Sequence, residues 1–249
     1  MKNLQSVFLL SISMVFYTIS YAQTAEDFYK SGIDKVNAGN KTEALSDFNF
    51  AILKDPNLTD AYVHRAELLL EVGEYTGMIR DYTKVIELQD GNKTAFLKRG
   101  KAYLIIGDNK NAFKDFNTTI EIDSIYALGY TYRGISHNVS KDYFSALKDL
   151  DRAILLDSTL ALAYTSRGNT KYFLSYEDNA PKSYEQEALL DYNKSIALDP
   201  NLAEAYYNRA NFYFYLQDNL PLACSDWLKA AELGNIDAKV IGEKNCSVK

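Results

Sequence analysis

Apolar positions along the chain return at helical spacing, with no stretch of the every-second-residue alternation that marks a strand. Tyr62, Ala66 and Leu69 put an aromatic, a small residue and an aliphatic on one helix face. Met78, Tyr82, Val85 and Ile86 repeat the arrangement one helix later. Turn formers separate such stretches: Gly73, Gly107 and the run Asn37-Ala38-Gly39-Asn40. Pro56 and Pro200 each follow an aspartate, and each is expected to stop a helix because proline cannot continue one. The pattern predicts an all-α chain of short helix pairs.

These pairs are copies of one another. Ala61–Ala66 (AYVHRA), Ala95–Gly100 (AFLKRG), Gly129–Gly134 (GYTYRG) and Ala163–Gly168 (AYTSRG) start 34 residues apart. Ala205–Ala210 (AYYNRA) follows 42 residues later, so eight residues are inserted. A weaker copy, Asp27–Gly32 (DFYKSG), lies 34 residues before the first. Each copy is followed by a second half built around an aspartate and an aromatic or leucine: Asp47-Phe48, Asp81-Tyr82, Asp115-Phe116, Asp149-Leu150, Asp191-Tyr192 and Asp226-Trp227. Ala or Gly at positions 66, 100, 134, 168 and 210 allows two helices to approach closely.

The 34-residue period, the aromatic and small positions and the Asp-Pro endings resemble the tetratricopeptide repeat (TPR) family over about residues 25 to 234. Met78 stands where that family prefers alanine, and Asp90, Ser124 and Ser158 replace the terminal proline, which leaves the helix ends open. The resemblance implies a right-handed α-solenoid of six helix-turn-helix repeats, at about 25–58, 59–92, 93–126, 127–160, 161–202 and 203–235. Residues 230–238 are also similar to Sel-type helical repeats. A capping helix is expected in 236–249, because a solenoid's last apolar face needs a cover.

The N-terminus reads as an export signal over residues 1–22. Lys2 precedes the apolar run Val7–Ile19, and Ser20 and Ala22 are the small residues a signal peptidase inspects. The run is shorter than the ~20 residues that span a bilayer, although an uncleaved anchor is the competing reading. Export places the mature chain in a periplasmic or extracellular space. There, the two cysteines, Cys224 and Cys246, are expected to form one disulfide, pinning the cap to the last repeat. The alternative is two unpaired small apolar residues.

Charge and chemistry narrow the function. Net charge is −6, so no basic field attracts phosphate backbones, and nucleic acid is not an expected partner. The two histidines, His64 and His137, fall in different repeats without a cysteine or carboxylate at ligand spacing. No glycine-rich phosphate loop, nucleophile elbow or paired-carboxylate motif is present. No cofactor, metal or catalytic role is expected. Arg65, Arg99, Arg133, Arg167 and Arg209 share one repeat position. They read either as a basic ladder for an acidic ligand or as partners of the aspartate series, and the second is favoured because an unpaired charge beside the close-packed small residue is costly.

The family resemblance implies that first helices line a concave groove that binds a protein or peptide. Carried over by position in the C-terminal half, the groove residues are Asn138, Thr165, Asn169, Tyr172, Phe173, Tyr207, Asn211, Phe214 and Tyr215. Asn169 and Asn211 would grip an extended backbone through bidentate amide hydrogen bonds. The insertion, Tyr176–Glu187, would extend the turn of the fifth repeat and either carry specificity or be neutral. The alternative function is a structural subunit of an envelope or secretion assembly that acts by self-association.

Overall fold

The computed structural model describes residues 23–177 and 181–246, so the expected export signal at 1–22 lies outside the described residues. Among the described residues there are thirteen α-helices and no strand. They run α1 Ala25–Asn37, α2 Lys41–Lys54, α3 Thr59–Glu71, α4 Tyr75–Leu88, α5 Lys93–Ile105, α6 Asn109–Ile122 and α7 Ala127–Val139. There follow α8 Tyr143–Leu156, α9 Ala161–Leu174, α10 Ser183–Leu198, α11 Ala203–Gln217, α12 Leu220–Glu232 and α13 Ile236–Asn245. Each odd-numbered helix up to α11 packs on the even-numbered helix that follows it. Two compact units result: α1–α4, and α5–α13.

The hairpins close because small residues sit where helices cross. A methyl group added to Gly100 would lie 2.6 Å from the Phe116 ring, and one added to Gly168 would lie 2.7 Å from the Tyr192 ring. Aromatic and aliphatic side chains of the second helices fill these crossings. Phe48, Phe116 and Leu150 are fully buried, and Tyr82, Tyr192 and Trp227 nearly so. In the first helices Leu68 is sealed while Leu69 is only half-buried.

The arginine–aspartate series is a set of internal ties. Arg133 donates through Nε and Nη2 to both carboxylate oxygens of Asp149, each at 2.7 Å, and through Nη1 to Asn117 at 2.8 Å. Arg65 with Asp81, Arg167 with Asp191 and Arg209 with Asp226 form the same forked pair. Their third donor reaches Asn49, Asp151 and Asn193 respectively, in the preceding second helix. Arg99 grips Asp115 in the same way. Each of these forks ties a repeat's two helices together, and the Nη1 bonds tie repeat to repeat, with the geometry that makes arginine the strong carboxylate partner. The aromatic three residues earlier lies against each guanidinium, 5.5 to 5.8 Å from ring centre to Cζ. The first repeat has Ser31 in place of arginine, and Lys35, one turn on, takes Asp47 at 2.8 Å.

Helix ends are set by aspartate rather than proline. Asp55, Asp123, Asp157 and Asp199 follow α2, α6, α8 and α10. Each accepts from the backbone N–H two residues on, at 2.9 to 3.1 Å. This side-chain turn stops the helix whether or not proline comes next, so Ser124 and Ser158 end their helices in the same register as Pro56 and Pro200. Within the hairpins, Gly39, Gly73 and Gly107 adopt positive φ near +80°. In the fourth repeat Lys141 is held in that region at φ 60°.

The insertion is not confined to the turn, as the sequence had suggested. One residue lengthens α9, two lengthen α10 and five lengthen the connection between them, so residues 183–187 are helical. Glu187, at this extended start, pairs with Lys171 at 3.2 Å, and Lys171 is otherwise buried against Asp191.

At the C-terminal end α13 lies on α12. Ala238 and Ile241 pack against Trp227 and Ala230, and Cys224 of α12 is bonded to Cys246 just after α13.

Candidate functional site

Two adjoining recesses open on the first helices of the last three repeats. One, of about 220 Å³, is lined by Asn169, Tyr172, Phe173, Tyr192, Asn208, Asn211 and Tyr215. Its neighbour, of about 200 Å³, is lined by Ile135, Asn138, Val139, Ser166, Asn169, Phe173 and Glu204. They share Asn169 and Phe173. Six of the nine residues expected from the sequence therefore lie together: Asn138, Asn169, Tyr172, Phe173, Asn211 and Tyr215.

The other three belong elsewhere. Thr165 is fully buried, its hydroxyl 2.7 Å from that of Ser195 on α10. Phe214 packs on Trp227, ring centres 5.2 Å apart, and Tyr207 is half-buried against the same core. The reason is a rotation. Each lies one residue, or about 100° of helix, before a residue that does line a recess, namely Ser166, Tyr215 and Asn208. The facing stripe of α11 is Glu204, Asn208, Asn211 and Tyr215, at helical steps of four, three and four residues.

The amides are not free to grip in the bidentate way expected of them. Asn169 Oδ1 accepts from the Tyr192 hydroxyl at 2.8 Å, and Asn211 Oδ1 accepts from Trp227 Nε1 at 3.0 Å. In each case a second-helix aromatic sets the rotamer of a first-helix amide, and what the amide has left to offer is its NH₂ group. Asn138 is engaged at both ends, accepting from Thr170 at 3.0 Å and donating to the Ser166 carbonyl at 3.4 Å, so it ties α7 to α9 at the recess wall.

Aromatic surface dominates the rest. Tyr215 and Phe173 are 63% and 44% exposed, enough to meet a partner directly. Phe173 stacks on Tyr143 with ring centres 5.6 Å apart, and Tyr172 accepts a hydrogen bond from Tyr176 at 3.1 Å. Burial holds the Tyr172 hydroxyl well above the usual tyrosine range. It is therefore a neutral hydrogen-bonding group at any physiological pH.

Sequence reasoning missed Glu204, Asn208 and Tyr192. Glu204 stays open to solvent as a residue, while burial around its carboxyl raises its pKa, countered only by the neighbouring Asn208 amide. A recess of about 330 Å³ in the N-terminal unit is lined by Leu45, Asn49, Arg65, Leu69, Glu74, Gly77, Arg80 and Asp81, none of them an expected groove residue. There Arg65 is already engaged by Asp81 and Asn49.

Comparison with known proteins points the same way as the geometry. A family model described as tetratricopeptide repeat matches residues 191–238, which run from α10 into α13. The chain is similar to a tetratricopeptide repeat protein from Parabacteroides merdae, with a TM-score of 0.78 and 17% identity, covering 94% of this chain and 89% of that one. It is similar to the type IV pilus biogenesis factor PilW, with a TM-score of 0.67 and 13% identity, over 87% of this chain and 97% of that one. A chain of the APC/C hetero-tetramer Cut9–Hcn1 matches with a TM-score of 0.70 and 18% identity, over 96% of this chain and 45% of that one. No curated protein matches the chain in sequence. Repeated hairpins with small residues at their crossings, and a forked arginine–aspartate pair in each repeat from the second to the sixth, give the described residues the tetratricopeptide-repeat fold, and residues 191–238 match that family's model.

Proposed function

We propose that the chain is a non-enzymatic scaffold that binds an extended peptide segment of a protein partner in the paired recesses on α7, α9 and α11. The observation that carries this reading is the convergence of exposed Phe173 and Tyr215 with the pre-set amides Asn169 and Asn211. Rigid aromatic area of this kind supplies the anchors of binding hot spots, and amide NH₂ groups suit the carbonyls of a backbone. At about 220 and 200 Å³, each recess is smaller than the ~300–1,000 Å³ of sites that enclose a small molecule. They fit side chains projecting from a partner better than a free metabolite.

No helix of the described residues is long and apolar enough to cross a membrane. The Cys224–Cys246 bond suits an oxidising compartment and supports a periplasmic or extracellular place of work. A second reading, self-association through outer surfaces, draws on Phe144 and Leu155 of α8, which are 74% and 76% exposed.

The test uses Phe173→Ala with Tyr215→Ala, because Asn169 and Asn211 also hold core aromatics and their loss would disturb packing. Immobilised wild-type chain should retain partners from an extract of the source organism that the double variant does not, with the mass in solution unchanged by light scattering. Equal retention by both proteins would refute the groove. A Phe144→Ser variant that changes the mass would favour self-association.

A further inference from the structure

The two recesses differ in charge. Among the described residues, Glu204 is the single charged one lining either of them. The repeat-position aspartates Asp81, Asp115, Asp149, Asp191 and Asp226 are each clasped by an arginine. Around Glu204 only Asn208 offsets the desolvation, and no lysine or arginine contributes. A partly walled carboxylate with no ion-pair partner among the described residues attracts a cation more strongly than one on an open surface, because less water screens it. Ile135, Val139 (60% exposed) and Phe173 supply an apolar side to the same recess, beside the polar Asn138, Ser166 and Asn169. A recess that combines aliphatic surface with a carboxylate matches a side chain with an aliphatic stem and a cationic head, and the Phe173 ring adds a surface that cations favour.

We propose that this recess seats a lysine or arginine side chain of the partner segment, and that an apolar or aromatic residue two positions away enters the adjoining, uncharged recess. The proposal rests on the groove reading above. Alternate side chains of an extended segment point the same way about 6.6–7 Å apart, a step suited to two recesses that share a wall. Asn169 lines both recesses, and with its Oδ1 taken by Tyr192 its NH₂ is the group left to offer the partner's backbone.

The probe is a displayed library of random seven-residue peptides, selected on the full chain, on Glu204→Lys, and on the Phe173→Ala/Tyr215→Ala double variant. Matching circular dichroism spectra will establish that Glu204→Lys keeps the fold. The wild type should enrich lysine or arginine at one position by about tenfold, the effect of one charge-assisted contact, with an apolar residue two places away. Glu204→Lys should lose the basic preference and keep the apolar one. Apolar enrichment without a basic preference, or an unchanged preference on Glu204→Lys, overturns the proposal and leaves the groove standing. Sequences selected equally well on the double variant, or no consensus at all, overturn the groove and this proposal together.

Discussion

Replacing Arg133 with methionine tests whether the arginine series is structural. Methionine keeps an unbranched apolar stem against Tyr130 and removes the forked pair to Asp149 along with the bond to Asn117. What remains is a carboxylate whose side chain is only 8% exposed, with His137 Nε2 at 3.7 Å beside the gap where a guanidinium had been. Breaking a buried ion pair from one side costs about 3–5 kcal/mol, whereas an exposed pair contributes about 0–1 kcal/mol. The Arg133 side chain is 23% exposed, so the pair sits between these limits, nearer the buried one. We expect a loss of roughly 2–4 kcal/mol. Because Arg133 ties α7 to α8 and back to α6, the loss should appear first as faster amide exchange in those three helices, and then as a lower urea midpoint by circular dichroism. Adding Asp149→Leu should restore part of the loss, since two apolar groups replace a stranded charge, giving a coupling of about 2 kcal/mol in the double-mutant cycle. A variant within about 0.5 kcal/mol of wild type, the range of ordinary surface changes, would refute the structural reading. So would one that unfolds normally yet loses its partner.

Further outcomes follow from single contacts. Gly168→Ala puts a methyl group 2.7 Å from the Tyr192 ring, whose hydroxyl holds Asn169. We expect a loss of about 1–3 kcal/mol in urea unfolding, together with weaker peptide binding. Lys141→Gly relieves a left-handed backbone at φ 60° and should raise stability by up to about 1 kcal/mol in the same assay. Reducing the Cys224–Cys246 bond should remove about 3 kcal/mol, and amide exchange should show the loss confined to α12 and α13. Glu204→Gln carries a pH signature. Because burial raises the folded-state pKa of Glu204, the stability associated with its protonated form is present below the unfolded value and is lost as pH rises through the folded one. Glu204→Gln should therefore be the more stable protein at pH 7 and match wild type in acid. Thermal melts across that range would contradict the reasoning if the variant were less stable at pH 7.

The fold was legible because it is written several times over. Small residues at one repeat position and aspartates at another leave few other ways to pack, and the arginine pairing followed from the cost of leaving those charges alone. The helices do end just before Pro56 and Pro200, and the same ends occur at Ser124 and Ser158 because the preceding aspartates, present also where proline is absent, make the turn that stops the helix. The recess was legible only in part, because a groove position depends on helix rotation, and one residue is about 100°. Tyr207, Phe214 and Thr165 were each one step off the facing stripe. The spacing Glu204, Asn208, Asn211, Tyr215 would have revealed that stripe. What no spacing shows is that Tyr192 and Trp227 reach from the second helices to hold the amides.

The central claim, that the paired recesses on the first helices grip a partner segment, is tested most directly by hydrogen–deuterium exchange. The full chain would be compared alone and saturated with the tightest peptide from the selection. The account predicts slowed exchange in residues 161–174 and 203–217, with residues 143–156 and 236–245 unchanged. Protection centred on the second helices or on α13, with 161–174 and 203–217 unaltered, would contradict it.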